Sequence, residues 1–547
     1  MRRWILPACL LAAVAIASVA GTARAVEREA VVQELTRRAG AVGMNMPEDA
    51  DQRPRIESAV LNFYERRGWE PVWVTRGEKE QERLRAAMEV LEAADEEGLR
   101  AEDYQLTVTA EELPAFLEDA NAAQLAALDA TATTQILAYG RDVAVGRRTP
   151  QRADPNVFLP ARPLDLGAVL ERMADPQANI RNVLARLAPQ HEAYRRLKIA
   201  LAVWRGRIVD PVPESVPEGA ALKPGETGPR ADAVVARLKY WRWLDAGAAA
   251  EGLTPTVVAA LKDYQKGHGL EEDGIAGKAT QNALNAPLAQ RIRQIELAME
   301  RWRWMADDLG ARHVIVDIAG FETMAVRNGK VDLRIRSIVG RDYRMTPVFS
   351  DLISYVEINP TWTVPPKIAV KDLLPKIRKD PEFLSKGRYE VWSGWQPDAR
   401  LVPLESIDWS KVGPGAFPYR LRQGPSLNNA LGEVKIMFPN RFDVYLHDSP
   451  ARELYEKPVR TFSSGCIRLE KPFDLVRWLF DATDGPEPEK VEEYRNSRKT
   501  VTLPLDRRIP VHLMYATAWP ADSSTGVAFR EDVYGRDVLL SKALGLE

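Results

Sequence analysis

The spacing of apolar residues changes character at His313, and no single-class fold accommodates both parts of the chain. Before that point apolar residues recur three and four apart, over 83–94, 123–139 and 180–203, which is the period of amphipathic helices. From 313 onward they alternate or run in short blocks. Residues 313–318 read as a strand, and 323–326 and 331–338 flank Asn328-Gly329, a strong hairpin turn. Further strands are expected at 434–438, 442–446, 500–503 and 510–515. The chain is therefore α+β and multidomain. Of its 547 residues, the 522 beyond an expected leader of 25 suit about three domains at ~150 residues each.

Residues 30–205 form a mostly helical domain, interrupted by the aromatic, extended stretch Gly68-Trp69-Glu70-Pro71-Val72-Trp73-Val74. Pro211, Pro213, Pro217, Pro224 and Pro229 then break all periodicity, as a linker does. Residues 222–286 read as a compact helical bundle, with Asp273-Gly274 suited to a tight turn. A mainly β domain spans 313–520, and 521–547 are set apart as a C-terminal tail. Inside the β domain, 367–424 is less regular and holds Trp392, Trp395 and Trp409. These tryptophans fit a local core; as an insertion between strands, the segment also fits a cap over a site.

Met1-Arg2-Arg3, the apolar run 5–19 and Ala23-Arg24-Ala25 read as a secretory signal peptide over 1–25, with export to the periplasm. The run is short of the roughly 20 residues that a spanning helix needs. Removing Arg2, Arg3 and Arg24 shifts the formal charge from −2 to −5. The balance is mild and has no basic block, so nucleic acid is not indicated as a partner. The five histidines are scattered, and no metal-ligand spacing occurs.

Of two cysteines, Cys9 falls in the expected signal segment, which leaves Cys466 without an internal disulfide partner. It lies in Ser463-Ser464-Gly465-Cys466-Ile467-Arg468, nineteen residues after His447. A thiolate is the attacking species, and at a free pKa near 8.5 only about a few per cent is ionised at neutral pH. A histidine in reach can take the proton and return it to a leaving amine. The amides around Gly465 and Cys466 are candidates to hold an oxyanion. On a strand, Tyr445 and His447 face one way, and Leu446 and Asp448 the other. Asp448 is then a poor partner for the imidazole, and a backbone carbonyl or a residue from elsewhere is expected to orient it. Read from residue types alone, a lone cysteine is more often a small buried hydrophobe, and a lone histidine is usually structural.

Several stretches carry a family resemblance. His447-Asp448-Ser449-Pro450 followed by Phe462-Ser463-Ser464-Gly465-Cys466-Ile467-Arg468-Leu469 resembles the catalytic signature of the L,D-transpeptidase family. Asn359-Pro360-Thr361-Trp362, Tyr419-Arg420-Leu421-Arg422, Phe438-Pro439-Asn440 and Tyr534-Gly535-Arg536-Asp537 are similar to its large periplasmic branch. Leu222-Lys223-Pro224-Gly225, Leu261-Lys262-Asp263-Tyr264-Gln265 and Asp273-Gly274-Ile275 resemble the peptidoglycan-binding domain of wall enzymes.

The resemblance implies a helical scaffold domain, a peptidoglycan-binding bundle and a β catalytic domain with a cap. Cys466 would be the nucleophile and His447 the proton carrier. Gly465, Ser464, Tyr445 and Arg468 would belong to the oxyanion site and its architecture, Arg468 through a substrate carboxylate. Many relatives have histidine where this chain has Ser464, whereas the large branch is similar to it there.

The implied reaction expels terminal D-alanine from a tetrapeptide stem and forms a 3–3 cross-link between diaminopimelate residues. No cofactor is implied, and acylation by carbapenems is expected. With water as acceptor the enzyme would be an L,D-carboxypeptidase; with a lipoprotein lysine, an anchoring transpeptidase. A reading from another class is a wall-binding scaffold without catalysis.

Overall fold

The computed structural model describes residues 28–37, 55–74, 77–248, 251–413, 417–481, 486–521 and 526–546. The expected signal segment and Cys9 lie outside them.

The helical domain is organised around Ala122–Val145. This helix starts at a capping box, in which the Asn121 and Gln124 side chains each accept the other's backbone N–H at 3.0 Å. Within it, the fully buried Asp129 accepts from the amides of Val72, Trp73 and Val74 and from the Tyr64 hydroxyl. That carboxylate pins the extended stretch, which leaves the helix Ile56–Arg66 through left-handed Gly68 and Trp69. The helix expected across 180–203 is two helices, Ile180–Ala185 and Glu192–Arg205. Pro189 lies between them, and proline cannot donate to a helical ladder.

The bundle consists of Pro229–Tyr240, Pro255–Gly267 and Lys278–Asn285. Buried Gln265 shapes its turn: it accepts from Gly274 N (2.9 Å) and donates to Asp273 and the Ile275 carbonyl. A further helix, Leu288–Arg303, leads into the β domain. Trp204, Trp241 and Tyr264 share one continuous apolar core with Trp302 and Phe529, whereas most of the helical domain has a core of its own. The polar joint between these bodies is Arg303, which pairs with Glu300 (2.8 Å) and donates to the Tyr194 hydroxyl and the Glu97 carbonyl.

In the β domain, β1 (Arg312–Asp317), β2 (Glu322–Arg327) and β3 (Lys330–Gly340) form a meander. Asn328 and Gly329 are both left-handed, as a type I′ turn requires. After β4 (Phe349–Ile358) come β5 (Trp362–Thr363), β6 (Tyr389–Trp392), β7 (Leu401–Val402) and β8 (Arg420–Gln423). Then follow β9 (Val434–Met437), β10 (Leu446–His447), β11 (Thr461–Ser463), β12 (Ile467–Leu469) and β13 (Val501–Met514). The main sheet runs β11-β3-β12-β10-β9-β4-β13-β1-β2, and β2 pairs again with β3, so the sheet rolls closed.

Two strand expectations are corrected. Residues 442–446 are not a strand, and regular pairing starts only at Leu446. Asp443 is left-handed, and the Asn440 side chain accepts from the amides of Phe442 and Val444, so a turn replaces the ladder. The two strands expected at 500–503 and 510–515 are one, β13, whose register against β4 shifts between Pro504 and Ile509.

The region between β4 and β9 is a separate unit. It has a four-stranded sheet, β5-β8-β6-β7, and its own core around Val364, Leu374, Ile377, Val391 and Leu421. Trp409 packs against that core, while Trp395 is exposed. Because β4 and β9 pair directly, with Ile358 opposite Val434, the unit leaves and re-enters the sheet at one place. Its two necks hold left-handed Asn359 and Gly432. Beyond 520 the chain folds back: β14 (Ala518–Pro520) pairs with β15 (Val527–Phe529), and the helix Arg536–Ala543 follows.

Candidate active site

Adjacent parallel strands bring the two candidate residues together. Leu446 stands opposite Ile467, and His447 opposite Arg468. Leu446 and Ile467 are fully buried in the core. By strand alternation Tyr445, His447, Cys466 and Arg468 therefore share the opposite face. Cys466 stands beside Tyr445, with its neighbour's amide, Ile467 N, donating to the Tyr445 carbonyl (3.1 Å). His447 is its diagonal neighbour on that face.

His447 is 4% exposed. Its Nδ1 lies 2.5 Å from the Asp448 carbonyl oxygen. A carbonyl only accepts, so Nδ1 carries the proton and Nε2 keeps its lone pair. Burial, reinforced by the positive charge of Arg468, pushes its pKa down to about 3. The imidazole is thus neutral at physiological pH. The Asp448 carboxylate turns away from it, accepting from Glu433 N (2.9 Å) and Arg452 (2.5 Å). A backbone carbonyl, rather than a third acid, orients the ring.

Cys466 is partly exposed. Burial pushes its thiol up, opposed by hydrogen bonds from Tyr445 and by the charges of Arg468 and Lys435. The Sγ donates to the carbonyl of left-handed Asp443 at 3.5 Å. The resting thiol thus points its proton at a backbone oxygen. A neutral thiol beside a neutral imidazole is the ground state of this face.

The turn before the sulfur is held from several sides. Ser463 Oγ donates to the Cys466 carbonyl (2.6 Å) and accepts from Gly465 N (3.0 Å). Gly465 N is therefore engaged inside the turn. The glycine serves the turn by its φ of +120°, which a side chain disfavours. The buried Thr346 hydroxyl donates to the Gly465 carbonyl (2.8 Å) and accepts from Gly340 N (2.9 Å). Ser464 Oγ accepts from Arg344 (2.8 Å). The folded C-terminal segment braces this loop, since the Tyr534 hydroxyl donates to the Gly340 carbonyl and Arg536 to the Thr346 carbonyl.

Arg468 is largely enclosed, and its Nε has no hydrogen-bond partner. Besides burial, the groups that act on it most strongly are Tyr455, Arg341, Cys466 and Tyr445, of which only Arg341 is charged at neutral pH. On the other side of His447 stands Lys435 of β9, paired with Glu357 (3.1 Å) and 4.8 Å from the Tyr445 ring centre. Two cations therefore flank the imidazole. Sequence reasoning missed Lys435, Asp443, Thr346 and Arg344, because each acts through tertiary contact and none sits in the signature. Among the described residues, no group of three or more His, Cys, Asp or Glu side chains could hold a metal ion.

Comparison with known proteins follows the same division. A model of the L,D-transpeptidase catalytic domain matches residues 311–492. A scaffold domain matches 58–201, and a "Putative peptidoglycan binding domain" matches 227–284. A protein of Haemophilus influenzae named "Putative L,D-transpeptidase" is 34% identical over 224 residues, 41% of this chain and 44% of its own length. The chain thus spans less than half the length of that relative. Among solved structures, a transpeptidase of this kind in complex with imipenem aligns over 37% of this chain and 59% of its own, at 14% identity and a TM-score of 0.17. The L,D-transpeptidase of Xylanimonas cellulosilytica aligns over 55% and 99%, at 16% identity and a TM-score of 0.18.

Proposed function

From a chain whose residues 311–492 match the L,D-transpeptidase catalytic domain, we infer a peptidoglycan cross-linking enzyme that works through a Cys466 thioester. The observation that carries this reading is the placement of Cys466 and a neutral, carbonyl-oriented His447 on one face of adjacent strands. Rotation of the thiol from the Asp443 carbonyl toward Nε2 hands its proton to the imidazole. The sulfur then attacks the carbonyl at the L-centre of diaminopimelate in a tetrapeptide stem. The oxyanion is held at Cys466 N. As the C–N bond breaks, His447 returns the proton to the leaving amine of D-alanine.

In the second step, the side-chain amine of another stem attacks the thioester. His447 takes its proton and passes it to the departing sulfur, and a 3–3 cross-link results. Bond energy passes through the thioester, so no nucleotide is needed outside the cytoplasm. Arg468, an enclosed cation with no carboxylate close by, is assigned to a substrate carboxylate. The cap limits water at the thioester and favours an amine over hydrolysis. Export through residues 1–25 and a periplasmic, wall-associated location belong to the same reading. No helix among the described residues is long and apolar enough to cross a membrane.

The test is intact-protein mass spectrometry with a carbapenem, followed by muropeptide analysis after incubation with wall polymer. The reading expects an adduct that vanishes in Cys466→Ala and a 3–3 dimer among the products. A shortened tripeptide alone would make water the acceptor. Wall binding with no adduct would leave a non-catalytic scaffold and refute the reading.

A further inference from the structure

The cap touches the nucleophile turn through one guanidinium. Arg344, in the short 3₁₀ turn after β3, forms a two-pronged ion pair with Asp372, with Nη2 3.2 Å from Oδ1 and Nη1 on the other oxygen. Asp372 belongs to the π-helical turn Ala369–Leu373 of the cap. The same Nη1 donates to Ser464 Oγ at 2.8 Å, two residues before the sulfur. The other ion pairs of residues 367–424, among the described residues, stay within the cap: Lys386 with Asp380 and Glu382, Lys411 with Asp408, and Arg422 with Glu390.

The remaining bonds of the turn come from the body of the domain. Ser463 and Thr346 hold Gly465 and the Cys466 carbonyl, and neither contact depends on the cap. The cap has a core of its own and hangs from paired necks at Asn359 and Gly432. Tyr445 of the catalytic face packs against that core, so the seating of the cap bears on the same face. A planar guanidinium bound on two sides has its orientation set by both partners. Without the Asp372 carboxylate, Arg344 loses the partner that aligns it on Ser464.

We propose that Arg344 is a positioning residue that couples the seating of the cap, through Asp372, to the geometry of the Ser464-Gly465-Cys466 turn. When the cap is seated, the guanidinium holds Ser464 and thereby fixes the direction of Cys466 N and Sγ for acyl transfer. When it lifts, the turn relaxes and the nucleophile is less well aimed. This inference rests on the acyl-transfer reading above and adds to it the device by which substrate enclosure and nucleophile alignment coincide.

The test is a double-mutant cycle on the exported form of the full chain. Asp372→Asn, Arg344→Lys, Arg344→Ala and Arg344→Ala/Asp372→Asn are compared with wild type for the rate of carbapenem adduct formation, read by intact mass. Each of Asp372→Asn and Arg344→Ala is expected to slow adduct formation about tenfold, the loss of one charge-assisted hydrogen bond. The double variant is expected to be no slower than the worse single, and Arg344→Lys to recover part of the loss.

Thermal melts separate positioning from general damage: the slow, near-isosteric Asp372→Asn should melt within a few degrees of wild type. Wild-type rates in Asp372→Asn, or losses that multiply in the double variant, overturn the coupling while leaving the enzyme reading intact. Wild type that forms no Cys466-dependent adduct sinks the enzyme reading, and the coupling with it.

Discussion

Replacing Thr346 with valine tests how firmly the body of the domain holds the nucleophile turn. Thr346 is fully buried, and its hydroxyl is a two-way bridge, donating to the Gly465 carbonyl at 2.8 Å and accepting from Gly340 N at 2.9 Å. Valine preserves the shape and deletes both bonds, leaving a buried carbonyl and a buried amide without this partner. The Gly340 carbonyl retains its bond from Tyr534, so the loop stays tethered at one point. Each stranded group costs about 1–3 kcal/mol. Taking the lower half of that range, because a small backbone shift relieves part of it, the loss is about 2–4 kcal/mol.

For a domain of roughly 200 residues, each kcal/mol moves the midpoint by about 2–4 °C, so the catalytic-domain transition should fall by roughly 4–16 °C. Differential scanning calorimetry reads that shift, and intact-mass kinetics with a carbapenem read the accompanying slower acylation. Thr346→Ser, which restores the hydroxyl, should recover most of both. A Thr346→Val protein that melts within a degree of wild type and acylates at its rate would refute the bridge as a determinant of the turn.

Other expectations follow from the same structure. His447 is held neutral down to about pH 3 and the thiol is raised by burial, so acylation rates should show no inflection near pH 6.5 across pH 5–8. A clear one there would mean that the imidazole titrates in the ordinary range. Gly432→Ala places a Cβ 2.3 Å from an Asp448 carboxylate oxygen at a left-handed φ. The strain and the displaced Asp448 contacts should cost about 2–4 kcal/mol in a denaturant titration and slow acylation, since the Asp448 carbonyl orients His447. Burial raises the Asp317 pKa to about 7. A carboxyl whose folded pKa lies above its unfolded one loses stability as pH rises from the unfolded value to the folded one, and the penalty persists above it. Asp317→Asn should therefore raise the melting temperature at pH 8 and do little at pH 3; a lower melting temperature at pH 8 would contradict the assignment.

Much of the fold was legible from local pattern. The helical period before 313 and the Asn328-Gly329 hairpin depend on neighbours in sequence, and the α+β fold class follows from them. Legibility failed where a distant partner or an isolated side chain decided. Asn440 and left-handed Asp443 turn 442–445 out of strand geometry, and β4 holds β13 together across the Pro504–Ile509 irregularity. The small sheet between β4 and β9 escaped notice because strands of two to four residues carry too few alternations to register a period.

The candidate site divides along the same line. Residue type made Cys466 and His447 candidates, since a lone thiol after a glycine turn and an upstream imidazole have a chemistry of their own, and the resemblance of the surrounding motif singled them out. Strand alternation also indicated that Asp448 faces away from the ring. Only the tertiary structure decided that β10 and β12 lie parallel and adjacent, that the Asp448 carbonyl fixes the tautomer, and that Arg468 and Lys435 bracket the imidazole. It alone joined Arg344, Thr346 and the C-terminal segment to the nucleophile turn. The physical reason is range: side-chain chemistry and backbone period are written residue by residue, whereas burial, charge proximity and strand partnership arise only when separate segments are packed into contact, whether some twenty residues apart, as β10 and β12, or over a hundred, as Thr346 and the nucleophile turn.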